Sequence, residues 1–148
     1  MKVYYIFQIK KEFVNLYQDT PSILFQILKS IYYLDSTEVD YGYHLFRQLT
    51  IPFSKKELDK RIFIKLHKEI PYSKRKDVHY INDFYKNEIS RLTIKPSYCK
   101  LEVEGTNSTF FSVLEEEAFD IFVCAFQKID FFFLKDYGKE DLKVSSHK

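Results

Sequence analysis

The chain has 148 residues, 45% of them hydrophobic, and a formal net charge of +2. This length fits one ordinary domain, and the apolar fraction can fill a core without disulfides or metals. No apolar run approaches the ~18 residues needed to span a bilayer. The short N-terminal apolar segment runs into Lys10 and Lys11 rather than into a cleavage site. We therefore expect one cytoplasmic domain over residues 1–148, with a frayed tail at residues 143–148.

Aromatic residues are unusually frequent, with 15 Phe and 12 Tyr but no Trp. A small core cannot hold all of these rings, so some must lie at the surface. Surface aromatics are enriched at protein-binding sites. The composition therefore favours a binding protein over an enzyme.

The N-terminal segment predicts a strand followed by a short helix. Val3 to Ile9 is apolar on both faces, which is typical of a central strand covered on both sides. From Lys10 the apolar period becomes helical, and Phe13, Val14 and Tyr17 share one face. Helical spacing alone favours packing of this face against the sheet.

Three further helices are predicted before the middle of the chain. One begins at Pro21, with Thr20 as its cap, and extends to about residue 33. A less regular helical segment covers residues 35–50. Another has a capping box formed by Ser54 and Glu57, and its apolar face continues to Ile70, before Pro71.

The C-terminal third predicts mostly strands. Residues 91–94 and 98–104 form two strands joined by a turn. A helix that starts near residue 109 follows, and after it residues 121–126 and 129–134 form two more strands. Residues 78–85 fit either a strand or a helix. The fold class is α/β (α+β), a single domain with a mostly antiparallel sheet and segregated helices.

Catalytic and metal-binding motifs are not recognisable in the sequence. The four histidines have no second ligand at helical spacing, and three isolated glycines cannot build a phosphate loop. Cys99 and Cys124 lie in apolar, strand-like contexts, which predicts two buried thiols. Glu102 and Glu104 share a strand face and raise the hypothesis of a nuclease, but alternation on a solvated strand explains them better. We expect no enzymatic activity, no cofactor and no metal.

A basic stretch between Ser54 and Lys76 carries nine Lys or Arg residues against three acidic ones. The nine are Lys55, Lys56, Lys60, Arg61, Lys65, Lys68, Lys74, Arg75 and Lys76. Such a patch fits a nucleic-acid-binding regulator. A Lys-rich helix face is ordinarily just solvated, so nucleic-acid contact is the alternative and not the main expectation.

Two segments carry a resemblance to a known family. One is the run from Tyr4 to Phe13 together with Tyr17 and the Leu24-Phe25 pair. The other is Thr109-Phe110-Phe111 with Val113-Leu114 and the aromatic tail near Tyr137-Gly138. In combination they resemble the sporulation inhibitor of replication family, SirA, of endospore-forming bacteria.

The resemblance implies a protein without catalysis that binds the N-terminal domain of the replication initiator DnaA and hinders its assembly at the origin. The family's binding residues correspond by position to Phe13 and Tyr17, and Phe46 joins them from the neighbouring helical segment. Four-residue spacing places Phe13 and Tyr17 on one helix face. We therefore expect both rings to be solvent-exposed in the unbound protein.

Overall fold

The computed structural model describes residues 1–35, 37–117 and 120–137. These residues contain five helices and eight strands. The expected tail at residues 143–148 lies outside them. The helices are α1 (Lys11–Tyr17), α2 (Pro21–Tyr32), α3 (Val39–Leu49), α4 (Lys55–Leu66) and α5 (Thr109–Glu115). The strands are β1 (Lys2–Ile9), β2 (Thr50–Ile51), β3 (Tyr72–Arg75), β4 (Val78–Asp83), β5 (Glu88–Ile94), β6 (Cys99–Glu104), β7 (Ile121–Ala125) and β8 (Asp130–Phe133), followed by a 3-10 turn at Leu134–Asp136.

The strands form one antiparallel sheet in the order β3-β4-β5-β6-β1-β7-β8, with β2 pairing to the end of β1. β1 lies between β6 and β7, and it is covered on both sides as its sequence predicts. Because successive side chains alternate between faces, Ile6 enters one core and Phe7 and Ile9 enter the other. The mixed α+β class and the antiparallel sheet are confirmed.

The two faces of the sheet support two separate cores. α4 and α5 cover one face, where Leu58 and Phe110 are completely buried; we call this the first core. α1, α2 and α3 lie on the other face, above the second core, which contains Phe25 and Phe122. Different helices thus cover opposite sides of one sheet.

The two cysteines are buried free thiols, as the sequence predicts. Cys99 belongs to the first core and Cys124 to the second, so they lie on opposite faces of the sheet. Burial raises the pKa of both thiols, which keeps them protonated. They act as small apolar side chains.

Helix boundaries agree with the sequence where a local signal is satisfied. Pro21 occupies the first turn of α2, and Ser108 caps α5 by accepting a hydrogen bond from the backbone N of Phe110 at 3.2 Å. Ser54 stands at the N-cap of α4, but its side chain makes no capping hydrogen bond. α3 begins only at Val39, because the Asp35 carboxylate accepts hydrogen bonds from the backbone N and Oγ1 of Thr37 and so stabilises a turn.

The predicted extension of α4 to Ile70 is wrong. The helix ends at Leu66, and Ile70 is 99% exposed. The chain turns here, with the Tyr72 backbone N donating to the Glu69 carbonyl at 3.2 Å, and then enters β3. β3 escapes prediction because only Tyr72 among its four residues is buried. The ambiguous segment after it forms strand β4.

A buried polar network joins α4 to the sheet. The Asp59 carboxylate lies 2.7 Å from Nε2 of His79, whose Nδ1 lies 2.8 Å from the Tyr72 hydroxyl. The Lys55 ammonium donates to the other Asp59 oxygen at 2.6 Å. Burial lowers the pKa of His79, although the Asp59 hydrogen bond opposes this, and burial raises the pKa of Tyr72 to about 12. Nothing in the sequence spacing identifies His79 as the partner of Asp59.

The lowered pKa of His79 makes stability depend on pH. The folded state favours neutral imidazole, whereas the unfolded chain takes up a proton as the pH falls through 6.5. This stabilisation is therefore complete above pH 6.5 and declines below it, by at most about 1.4 kcal/mol per pH unit. Urea unfolding between about pH 7 and pH 5 measures the decline.

His44→Gln is the matched control for that measurement, because His44 is exposed. It should retain the acid-side decline of the wild type, whereas His79→Gln should flatten it. An equal decline in wild type and His79→Gln would show that His79 is not the titrating group.

Gly105 ends β6 in a conformation that other residues rarely adopt. Its φ is +111°, and an added Cβ would lie 2.3 Å from the Asn87 carbonyl oxygen. We expect Gly105→Ala to lower the free energy of unfolding by about 1–3 kcal/mol, measured by urea unfolding. At Gly42 the close contact of an added Cβ is with the end of the flexible Leu34 side chain, which can move, so Gly42→Ala should cost less. Equal losses would contradict the assignment of strain to Gly105.

Candidate functional site

α1 is held at the end of β1 by main-chain and apolar contacts. The Lys10 backbone N donates to the Leu49 carbonyl oxygen at 3.0 Å, which brings the first turn of α1 beside the last turn of α3. Val14 is 1% exposed and anchors α1 in the second core. α1 is seven residues long, so this anchoring, rather than helix propensity, holds it in place.

Phe13 and Tyr17 lie side by side on α1. Their ring centroids are 6.5 Å apart, and the ring planes differ by 13°. Both side chains are half-buried and pack against the second core. The expectation of solvent-exposed rings is therefore wrong, because both rings pack against the same core that buries Val14. What remains accessible is one part of each ring.

Phe46 lies on α3 and meets the edge of Phe7. The two centroids are 5.6 Å apart, with an angle of 75° between the planes. Like Phe13 and Tyr17, Phe46 is half-buried against the second core. The structure thus places the three predicted site residues on adjoining helices over one core, with α1 and α3 joined through Lys10 and Leu49.

An apolar cavity of about 430 Å³ opens beside Phe46, between α2, α3 and the sheet. Its walls are largely aromatic and include Tyr5, Tyr32, Tyr43 and Tyr98. The hydroxyls of Tyr5 and Tyr32 lie 3.3 Å apart, and this hydrogen bond raises the pKa of Tyr5 to about 12. The sequence does not reveal this cavity, because its residues come from separate elements with no shared spacing.

Further aromatic and apolar side chains are exposed on α3 and at the end of α2. Tyr41 is 72% exposed, Tyr33 is 56% exposed, and Val39 is 52% exposed. Together with Phe13, Tyr17 and Phe46 they make the α1–α3 side of the molecule rich in accessible apolar area. An apolar area of this kind is typical of a protein-binding surface.

The residues of the nuclease hypothesis are not assembled into a site. Glu102 pairs with Arg91 at 3.3 Å, and Glu104 is exposed at the end of β6. Within residues 1–35, 37–117 and 120–137, no three His, Cys, Asp or Glu side chains are grouped to hold a metal ion. The ion pair with Arg91 on the neighbouring strand thus accounts for the acidic side chain at Glu102.

The chain thus forms an α+β domain with an accessible aromatic surface on its α1–α3 side. Residues 2–137 match the model of the family described as sporulation inhibitor of replication protein SirA. The chain belongs to this family, so the resemblance found in its sequence is confirmed. The family is one of regulatory inhibitors of replication, not a known enzyme family. No curated protein matches the chain significantly.

Among the described residues, none of the helices has both the length and the apolar character required to cross a bilayer.

Half-burial of the α1 rings predicts a measurable but limited role in stability. We expect Phe13→Ala to lower the free energy of unfolding by about 2 kcal/mol, less than a fully buried Phe would cost. Leu16→Ala on the same helix should change it by less than about 0.5 kcal/mol, because Leu16 is 62% exposed. Urea unfolding measures both. A loss for Phe13→Ala no larger than that for Leu16→Ala would contradict the observed packing.

Proposed function

We propose that this protein binds the N-terminal domain of the replication initiator DnaA through the aromatic surface formed by Phe13, Tyr17 and Phe46, and thereby hinders initiator assembly at the origin. Family membership supports the inhibition of replication. The stacking of Phe13 on Tyr17 is the observation that supports this site most directly. Because an initiator acts on the chromosome, the proposal places the protein in the cytoplasm.

The aromatic pair is suited to docking because it is already ordered. Each ring has few rotatable bonds, and packing against the second core restricts those further. Binding then requires little additional loss of side-chain entropy, so more of the contact energy contributes to affinity. Anchors of this kind are typical centres of protein interfaces.

The position of α1 also explains how a short helix can present a binding surface. α1 directly follows β1, and the Lys10–Leu49 hydrogen bond holds its first turn against α3. A partner that contacts α1 therefore meets a rigid element rather than a loop. The cavity beside Phe46 leaves room for an apolar side chain of the partner.

We expect Phe13→Ala and Tyr17→Ala each to weaken binding to the isolated N-terminal domain of DnaA by at least about 2 kcal/mol, which is roughly 30-fold. Phe46→Ala should weaken it as well. Isothermal titration calorimetry measures the affinities, and circular dichroism confirms that each variant is folded.

Asn15→Ala is the matched control, since it truncates an exposed side chain on the opposite side of α1. It should bind like the wild type. Wild-type affinity in folded Phe13→Ala and Tyr17→Ala would disprove the site while leaving the partner in place. Failure of the wild type to bind the domain would disprove the proposed function itself.

A further inference from the structure

Six of the nine basic residues between Ser54 and Lys76 form two groups of three. Three of them are engaged by carboxylates: Lys55 by Asp59 and Asp77, Arg61 by Glu57 and Glu117, and Lys65 by Glu116 and Glu117. Glu117 comes from the chain after α5, so these pairs tie α4 to its neighbours. These three cations therefore stabilise contacts within the protein.

The other group consists of Lys56, Lys60 and Lys74. All three are exposed, and none has an ion-pair partner in the part of the chain that the structure describes. They converge on one shallow pocket, of about 620 Å³, which Lys55, Asp59 and Phe63 also line. Lys55 donates to Asp59 and offsets its charge, so Lys56, Lys60 and Lys74 leave the pocket with a net positive formal charge.

The walls of this pocket belong to two elements that are fixed relative to each other. Lys56, Lys60 and Phe63 follow one face of α4 at helical spacing. Lys74 lies opposite His79 in the β3–β4 register, and His79 is the residue that Asp59 of α4 holds. The buried Asp59–His79–Tyr72 network thus sets the distance between the lysines of α4 and the lysine of β3.

An aromatic surface lies among these cations. Phe63 is 45% exposed, and the His67 ring stacks on it with a centroid separation of 5.1 Å and an angle of 18°. Lysines alone would suit carboxylates and phosphates equally. An exposed flat ring between them adds a stacking surface for a base, and the combination is typical of single-stranded nucleic-acid sites.

We propose that the pocket between α4 and β3 binds single-stranded nucleic acid, with Lys56, Lys60 and Lys74 contacting backbone phosphates and Phe63 stacking on a base. The pocket lies on the first-core side of the sheet, whereas Phe13, Tyr17 and Phe46 lie on the second-core side. The inference is therefore independent of initiator binding, and both partners fit on the molecule at once.

Fluorescence anisotropy of the full chain with a labelled DNA strand of about 16 nucleotides tests this site. The triple variant Lys56→Gln/Lys60→Gln/Lys74→Gln should bind roughly tenfold more weakly at about 50 mM salt. The slope of log affinity against log salt should decrease in magnitude by about 2, because each phosphate contact to a single strand contributes about 0.7.

The matched control is Lys86→Gln/Lys95→Gln/Lys128→Gln, which removes the same charge at three exposed positions outside the pocket. It should keep most of the affinity and slope of the wild type. Equal losses in the two triple variants would show a diffuse charge effect and overturn the site. Absence of DNA binding by the wild type at low salt would overturn it as well.

Two further measurements separate nucleic acid from an acidic protein partner. Phe63→Leu should weaken single-strand binding by about tenfold, since stacking is lost while the charges remain. Polyglutamate should displace the labelled strand far less effectively than unlabelled DNA of equal charge. Equal displacement, or unchanged binding by a folded Phe63→Leu variant, would overturn the proposal in favour of an acidic polypeptide or a purely electrostatic contact.

Discussion

The rest of the structure depends on the burial of β1 on both faces. β1 has β6 on one side and β7 on the other, with β2 paired at its end, so its backbone polar groups are largely satisfied within the sheet. Its side chains therefore point into two hydrophobic cores on opposite faces of the sheet. Ile6 lies in the core that α4 and α5 cover, and Phe7 lies in the core that α1, α2 and α3 cover. One strand thus determines that the domain has three layers.

This layering separates the two surfaces on which the proposals rest. The aromatic surface of α1 and α3 lies above the second core, and the basic pocket of α4 and β3 lies beside the first. The sheet lies between them, and the two surfaces share none of the residues named for them. The two surfaces can therefore act without competing for the same residues, and mutation of one leaves the chemistry of the other intact.

Sequence patterns predicted the elements whose signals are local. An apolar run on both faces identified β1, alternation identified β6, helical spacing identified α1, and Pro21 marked the start of α2, since each of these signals lies within a few residues. β3 was missed because an edge strand with one buried side chain has almost no apolar pattern. The length of α4 was overestimated because Ile70 fits the helical period although nothing in the fold covers it.

The sites were less predictable than the elements, because they arise from long-range contacts. Asp59 on the apolar face of α4 was a usable signal, since a carboxylate among Leu58 and Ile62 requires a buried partner. Its partner His79 could not be identified, because nothing in the spacing of β4 specifies which helix packs on it. The cavity beside Phe46 likewise depends on how α2 and α3 pack on the sheet.

The half-burial of Phe13 and Tyr17 is consistent with the docking role proposed for them. A fully exposed ring on a seven-residue helix would lose much conformational freedom on docking, and it would contribute nothing to holding α1 in place. A half-buried ring does both tasks, because one part packs on the second core while the other stays available to a partner. The many aromatic residues are therefore distributed between core and surface, and rings such as Phe13 belong partly to each. In this fold the same rings that complete the second core also shape the surface above it.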